Sequence, residues 1–419
     1  MILKNSQNEN IDIEDKPFAK GGEGAIFFIR NTNYNEFCVK IFHPGKIDSR
    51  IQKLEYMVQH PLSAPKSSLY KICWPSDFVF QDGNIVGFIM PLSFPHSKSL
   101  YDIYLSDDNT IFDRRRKKGV ENRLKLLYNI ATAIKALHLE GYVLVDFKPQ
   151  NVLFTDIGQI SVIDLDSLQI APNKQILFQA TAFTIDYAYP NEFSSIKNKA
   201  YISTKWDCYS FAVVAYQILL GIHPFTASTN LKDKYGNTIS GLFDLMAGDL
   251  FPFGSHQDLI AVIPPPQYYF FSLPPVIQNL FKKIFDLRLN DYCMNDWLFA
   301  IMDVLKSQET IEPNLFRNTP HTPIVIIIKQ EEKKDFIYLK WKGFFCDNVK
   351  INKYDVTDAE EIRIPISERE ITIYAYNSHG NQVQKVSIKH VSKYCINCGN
   401  QFYSNFDNFC TCCGMKRLL

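Results

Sequence analysis

Val145-Asp146-Phe147-Lys148-Pro149-Gln150-Asn151-Val152-Leu153-Phe154, followed by Ile163-Asp164-Leu165-Asp166-Ser167, is the stretch on which the reading of this chain turns. An aspartate is followed by a lysine two positions on and an asparagine five positions on, and a further aspartate comes after an apolar strand-like run. That order of side chains is hard to reach by chance.

Upstream, Ala19-Lys20-Gly21-Gly22-Glu23-Gly24-Ala25-Ile26 lies between two strand-like runs. Glycines in such a loop let backbone N–H groups approach phosphate oxygens with no Cβ in the way. Taken alone, the segment is equally well a plain hairpin. Sixteen residues after Gly24, Phe37-Cys38-Val39-Lys40 ends an otherwise apolar strand on a lysine, whose ammonium can bridge two phosphates if a carboxylate holds it. Glu55 is the only glutamate between Phe42 and Pro61 and stands in a predicted helix, about Ile47 to Gln59. Read separately, Lys40 is an edge-strand charge and Glu55 a solvated helix residue.

Taken together, these segments resemble the eukaryotic-type protein kinase family over roughly residues 12–308. The resemblance implies that Gly21, Gly22 and Gly24 cover the phosphates of ATP and that Lys40, paired with Glu55, orients them. It implies that Asp146 accepts the proton of a substrate hydroxyl, that Lys148 steadies the transferring phosphoryl group, and that Asn151 and Asp164 hold Mg2+. Later landmarks agree with it. Tyr189-Pro190-Asn191-Glu192 resembles the end of an activation segment. Asp207-Cys208-Tyr209-Ser210-Phe211-Ala212 resembles the start of the buried helix whose aspartate braces the catalytic loop, and Gly221-Ile222-His223-Pro224-Phe225 the turn after it, which makes His223 structural.

Three departures qualify the match. Most of the family has His-Arg before the catalytic aspartate, and this chain has Leu144-Val145. The missing arginine usually pairs with a phosphate on the activation segment, so activity is expected not to depend on phosphorylating Thr181 or Thr184. Ala19 replaces the first glycine of the phosphate loop, which predicts weaker nucleotide affinity. Asp166 replaces the glycine of the metal motif and reads as a turn residue, with a metal contact as the alternative. The Asp-x-Asp-Ser-x-Gln pattern resembles a divergent bacterial group found with PPM-type phosphatases and von Willebrand A proteins, which the resemblance implies as partners.

The expected fold is multidomain α+β. It comprises a bilobal protein-kinase-like fold (12–308, lobes 12–92 and 93–308), a linker (309–320), an immunoglobulin- or fibronectin-like β-sandwich (321–391) and a zinc ribbon (392–419). Period-two alternation in Ile337, Leu339, Trp341, then Val349, Ile351, then Ile371, Ile373, Ala375, predicts the sandwich, with a turn at Ser378-His379-Gly380-Asn381. Cys395, Cys398, Cys410 and Cys413 form two C-x-x-C units with eleven residues between them, the spacing of a closed structural Zn2+ site, and Cys412 is the spare thiol. The scattered Cys38, Cys73, Cys208, Cys293 and Cys346 read as buried thiols.

Lys+Arg at 45 against Asp+Glu at 44 gives a net charge of +1, which argues against a global field for nucleic acid or membrane. The run Arg114-Arg115-Arg116-Lys117-Lys118 reads as a solvated lead-in to a helix. No signal peptide or membrane span is expected, and a reducing cytoplasm suits the cysteines. The leading expectation is a serine/threonine protein kinase with C-terminal targeting modules. A pseudokinase scaffold and a zinc-ribbon adaptor for nucleic acid or a protein complex are the alternatives.

Overall fold

The computed structural model describes residues 1–386 except 64–66, 106–109, 115–117, 234, 290, 308–322, 333–335, 345, 360, 366, 369 and 378–379. The expected linker and the zinc-ribbon cysteines lie outside the described residues. The chain divides into two compact units, Met1–Pro313 and Asn314–Leu419.

The first unit opens with a seven-stranded antiparallel sheet. Its strand order is Asn10–Asp12, Ile2–Asn5, Asp77–Gln81, Asn84–Pro91, Phe37–Phe42, Gly24–Phe28 and Ala19–Lys20. The sheet starts ten residues ahead of the expected boundary at 12, because Leu3, Ile11 and Ile13 pack on Val39, Val79 and Ile89 in one core. Helices follow the chain as α1 (Ile51–Gln59), α2 (Leu100–Leu105), α3 (Gly119–Leu139), α4 (Phe193–Lys197), α5 (Thr204–Leu220), α6 (Leu242–Ala247), α7 (Pro275–Phe285) and α8 (Met294–Lys306).

Helix α3 buries Leu124, Leu127, Ile130, Ile134 and Leu137, the residues whose spacing predicts it. Helix α5 is apolar nearly all round and is buried from Trp206 to Leu220, as a helix without a polar face must be. Ser203 caps its first turn by accepting from Lys205 N. Its Tyr216 joins Phe225, Phe251, Phe270, Phe281 and Phe285 in a network of edge-to-face and tilted rings. Short β pairs carry the catalytic segment across this base: Val152–Phe154 pairs with Ile160–Val162, and Tyr142–Val143 with Gln169–Ile170. No helix among the described residues is long and apolar enough to cross a membrane.

The second unit has two antiparallel sheets, a three-stranded one (Ile324–Glu332, Phe336–Phe344, Glu361–Pro365) and a four-stranded one (Tyr354–Asp355, Asn348–Ile351, Ile371–Asn377, Gly380–Val386). Ile337, Leu339, Trp341, Val349, Ile351, Ile371, Ile373 and Ala375 all enter one buried cluster, as their period-two spacing requires. The two sheets thus share one core. The expected turn lies partly outside the described residues; its flanking strands meet at the pair Asn377–Gly380.

Among the scattered thiols Cys38, Cys73 and Cys208 are buried, Cys346 is half-buried and Cys293 is exposed. Cys293 departs from expectation because it caps α8: its own N–H donates to Asp296 Oδ2 at 2.6 Å.

Candidate nucleotide and phosphoryl-transfer site

The strand Phe37–Phe42 is flanked by Gly24–Phe28 and Asn84–Pro91, so that Lys40 pairs with Ile26 on one side and Phe88 on the other. Glycine is demanded on both sides. A Cβ on Gly24 would sit 2.3 Å from the Ile41 carbonyl oxygen, and one on Gly87 2.0 Å from that of Lys40. Gly21 and Gly22 meet no such crowding. They roof a cavity of about 380 Å³ whose walls include Lys40, Phe88, Met90, Asn151 and Asp164.

Lys40 is buried, and its Nζ donates to Asp164 Oδ1 at 2.9 Å and to Asp166 Oδ1 at 2.7 Å. Burial opposes its charge, but the two carboxylates outweigh that and hold its pKa above the ordinary value. For Asp164, burial is likewise outweighed by Lys40, and its carboxyl falls below the usual range. Burial pushes the Asp166 carboxyl up, with Lys40 pulling the other way.

The expected pairing of Lys40 with Glu55 is not formed. Glu55 is exposed, whereas α1 buries Lys53, Leu54 and Met57. Helical phase explains why. Glu55 stands one residue from Leu54 and two from Met57, spacings that do not share a face, while Lys53 is four from Met57. Lys53 Nζ donates to the carbonyls of Leu168 at 2.6 Å and Asp166 at 3.2 Å. Burial lowers its pKa to about 8, Asp166 opposing and Arg50 adding to the fall. Asp166, expected as a turn residue, is 2% exposed and serves as the buried partner of Lys40.

The catalytic-loop residues converge below. Asp146 is buried; its Oδ2 accepts from Lys148 Nζ at 2.8 Å and its Oδ1 from Thr184 Oγ1 at 2.6 Å. Lys148 Nζ also donates to Thr184 Oγ1 at 3.0 Å, so the three side chains form a closed triangle. Asn151 Nδ2 donates to the Asp146 carbonyl at 2.9 Å, which commits its nitrogen and leaves the amide oxygen as its donor to a cation. Thr184 is therefore a constituent of the site as an unmodified hydroxyl. Replacing it with alanine removes that hydroxyl and cannot serve as a clean test of phosphorylation dependence.

Val145 holds φ at +64°, a conformation that costs a β-branched residue about 1–3 kcal/mol. The strain is contained by Asp207, which is fully buried and accepts from Leu144 N at 2.7 Å and Val145 N at 2.9 Å. Trp206 Nε1 donates to the Val145 carbonyl at 2.8 Å, and His138 Nε2 lies 2.9 Å from Asp207 Oδ2. The bracing expected of Asp207 is present with no arginine at position 145. His223 is structural, as expected: its Nδ1 accepts from Phe225 N, which places the ring proton on Nε2, 3.0 Å from the Asp186 carbonyl.

Two side chains of the activation segment, Gln169 and Glu192, hold it to the residues that enter α5. Gln169 is fully buried; its Oε1 accepts from Ile202 N at 3.0 Å and its Nε2 donates to Ile202 O at 2.8 Å. Glu192 accepts from Ser203 N at 2.7 Å and from the Ser203 hydroxyl. The partners of Asp166, Lys53, Thr184 and Gln169 escape sequence reasoning. Only the phase of α1 carried a legible signal for one of them, Lys53.

Residues 18–286 match the model of the protein kinase domain. The chain is 27% identical over 165 residues to a calcium and calcium/calmodulin-dependent serine/threonine-protein kinase of Pisum sativum, covering 36% of this chain and 30% of that protein. It is 32% identical over 111 residues to serine/threonine-protein kinase 16 of Mus musculus, 24% of this chain and 36% of that protein. A probable serine/threonine-protein kinase of Clostridium perfringens is 26% identical over 161 residues, 34% of this chain and 22% of that protein.

Proposed function

The chain belongs to the protein kinase family, and from that premise we propose that its first unit transfers the terminal phosphoryl group of ATP to a serine or threonine hydroxyl of a protein. The observation that carries the reading is the closed triangle of Asp146, Lys148 and Thr184, in the same unit as the cavity lined by Lys40, Asn151 and Asp164.

In this reading Asp146 accepts the proton of the substrate hydroxyl while that oxygen forms its bond to phosphorus and ADP leaves with the electrons of the broken P–O bond. Lys148 steadies the charge on the transferring group, and Lys40 orients the nucleotide phosphates beneath Gly21, Gly22 and Gly24. Asn151 and Asp164 are the oxygen donors suited to Mg2+, and the half-exposed Asp164 carboxylate lines the cavity. When bound, the ion supplies neutralisation of phosphate charge.

The residues of the second unit are read as targeting modules in a cytoplasmic protein. A PPM-type phosphatase and a von Willebrand A protein are the partners that the Asp-x-Asp-Ser-x-Gln resemblance suggests. Cys395, Cys398, Cys410 and Cys413 are read as a structural Zn2+ site, supported by their spacing alone.

The test is incubation with labelled ATP and Mg2+ in the presence of mixed protein acceptors, beside Asp146→Asn and Lys40→Met. Transfer to serine or threonine by the parent alone is expected. Nucleotide binding with no transfer overturns the enzyme reading in favour of a scaffold.

A further inference from the structure

The charges around Lys40 form one connected chain. Glu23, in the phosphate loop, contacts Arg50 Nη2 at 2.6 Å; Arg50 Nε lies 3.8 Å from Asp166 Oδ2; Asp166 Oδ1 and Asp164 Oδ1 hold Lys40 at 2.7 and 2.9 Å. We propose that Asp166 is the positioning carboxylate of Lys40 in place of any acid on α1, and that Arg50 links it to Glu23 and so couples the metal segment to closure of the phosphate loop. The inference rests on the kinase reading of this cleft and deepens it.

Four observations support it. Asp166 is 2% exposed, and a carboxylate so deep must be matched by cations. Its side chain has Lys40 on one oxygen and the guanidinium of Arg50 facing the other. Arg50 Nε is buried with no hydrogen-bond partner among the described residues, so its nearest electrostatic satisfaction is Asp166. Finally, the buried face of α1 presents a cation, Lys53, whose Nζ is spent on the main-chain carbonyls of Asp166 and Leu168. Three carboxylates (Glu23, Asp164, Asp166) thus alternate with two cations (Lys40, Arg50), and removing Asp166 leaves the buried Lys40 and Arg50 without the partner they share.

The arrangement separates two things that a helix-borne glutamate would join. Lys40 is fixed by the segment that also carries Asp164, so its position follows the metal motif. Helix α1 is tied to that segment through main-chain carbonyls, so its position does not set Lys40 directly. The phosphate loop is attached through Arg50, whose third guanidinium nitrogen, Nη1, donates to the Lys46 carbonyl at 2.7 Å and anchors the link to the entry of α1.

The experiment measures kcat and the KM for ATP of the full chain, together with Mg-ADP affinity by calorimetry, for Asp166→Asn, Arg50→Met and Glu55→Gln. Asp166→Asn is expected to lower kcat about a hundredfold while KM changes less than about fivefold, because a mis-set Lys40 fails chiefly in the transition state. Arg50→Met is expected to show the opposite split, with KM raised about tenfold and kcat within about threefold. Glu55→Gln is expected to match the parent. A parental kcat in Asp166→Asn, or an equal loss in Glu55→Gln, overturns the proposal. Loss of Mg-ADP binding as complete as the loss of transfer in Asp166→Asn assigns a merely structural role and overturns it too. If the parent transfers nothing, it is the kinase reading that fails. The ion chain is then judged on Mg-ADP affinity, where an Arg50→Met variant equal to the parent overturns it.

Discussion

Two buried aspartates hold the two halves of the active cleft, and they do so by different means. Asp207 is saturated by main-chain N–H groups of Leu144 and Val145, donors that no side-chain motion can withdraw. Asp166 is held by the side chains of Lys40 and Arg50, cations on long flexible stems brought from a different strand and a different turn. The catalytic loop is therefore built as a fixture, and the metal segment as an assembly whose parts can be exchanged or displaced. A main-chain clamp tolerates a strained neighbour such as Val145. A side-chain network places charge where a nucleotide needs it, at the cost of sensitivity to every member.

The sharpest break of the fixture is chemical. Asp146→Asn keeps the shape and removes the proposed proton acceptor, and transfer is expected to fall by about a thousandfold or more, measured as initial rate with folding checked by circular dichroism. Asp207→Ala removes the acceptor of two buried N–H groups and releases the strain they contain. A loss of about 3 kcal/mol or more is expected in urea unfolding of the first unit. A loss below about 1 kcal/mol would show that the Trp206 bond to the Val145 carbonyl suffices without it.

His223 tests the same main-chain logic through pH. Burial lowers its pKa from the ordinary 6.5 to about 4, the Asp186 carbonyl only partly opposing. Between those values the unfolded chain binds a proton that the folded chain refuses. The stability due to neutral His223 is thus complete above about pH 6.5 and lost as pH falls toward 4. The loss amounts to about 3 kcal/mol, and His223→Gln should flatten the pH dependence of the unfolding free energy over that window.

Thr184 gives the smallest effect and separates a hydroxyl from a phosphate. Thr184→Ser should keep transfer within about threefold of the parent and Thr184→Ala lower it about tenfold to fiftyfold. Phosphate at this position would have to leave the triangle, so phosphoprotein mass spectrometry of the active form should find residue 184 unmodified.

Much of this was legible in the chain. The order Asp146, Lys148, Asn151, Asp164 specified the lower half of the cleft, and Asp207 and His223 took the structural roles their motifs implied, because those positions depend on local geometry repeated wherever the loop is braced from below. The buried cluster of the second unit was readable from period-two spacing alone. What was not legible was the wiring around Lys40. Glu55 is the only glutamate between Phe42 and Pro61 and the partner the resemblance implied for Lys40, but the phase of α1 turns it outward and Lys53 inward. The pairing of Asp166 with Lys40 joins residues far apart in sequence that no local pattern connects. Thr184 was visible only as a candidate for modification, since its bonds to Asp146 and Lys148 exist only after the activation segment has folded back.

Gly87 closes on a practical point. It contacts no residue of the transfer triangle and does not line the cavity, yet a methyl group there would meet the Lys40 carbonyl oxygen at 2.0 Å. Alanine at this position forces one of the two paired strands to give way, and any displacement of Phe37–Phe42 carries Lys40 with it. Position 87 is thus where a geneticist should look for a conditional allele: a chain that accumulates normally when cool and falls silent on warming, with every catalytic side chain still in place.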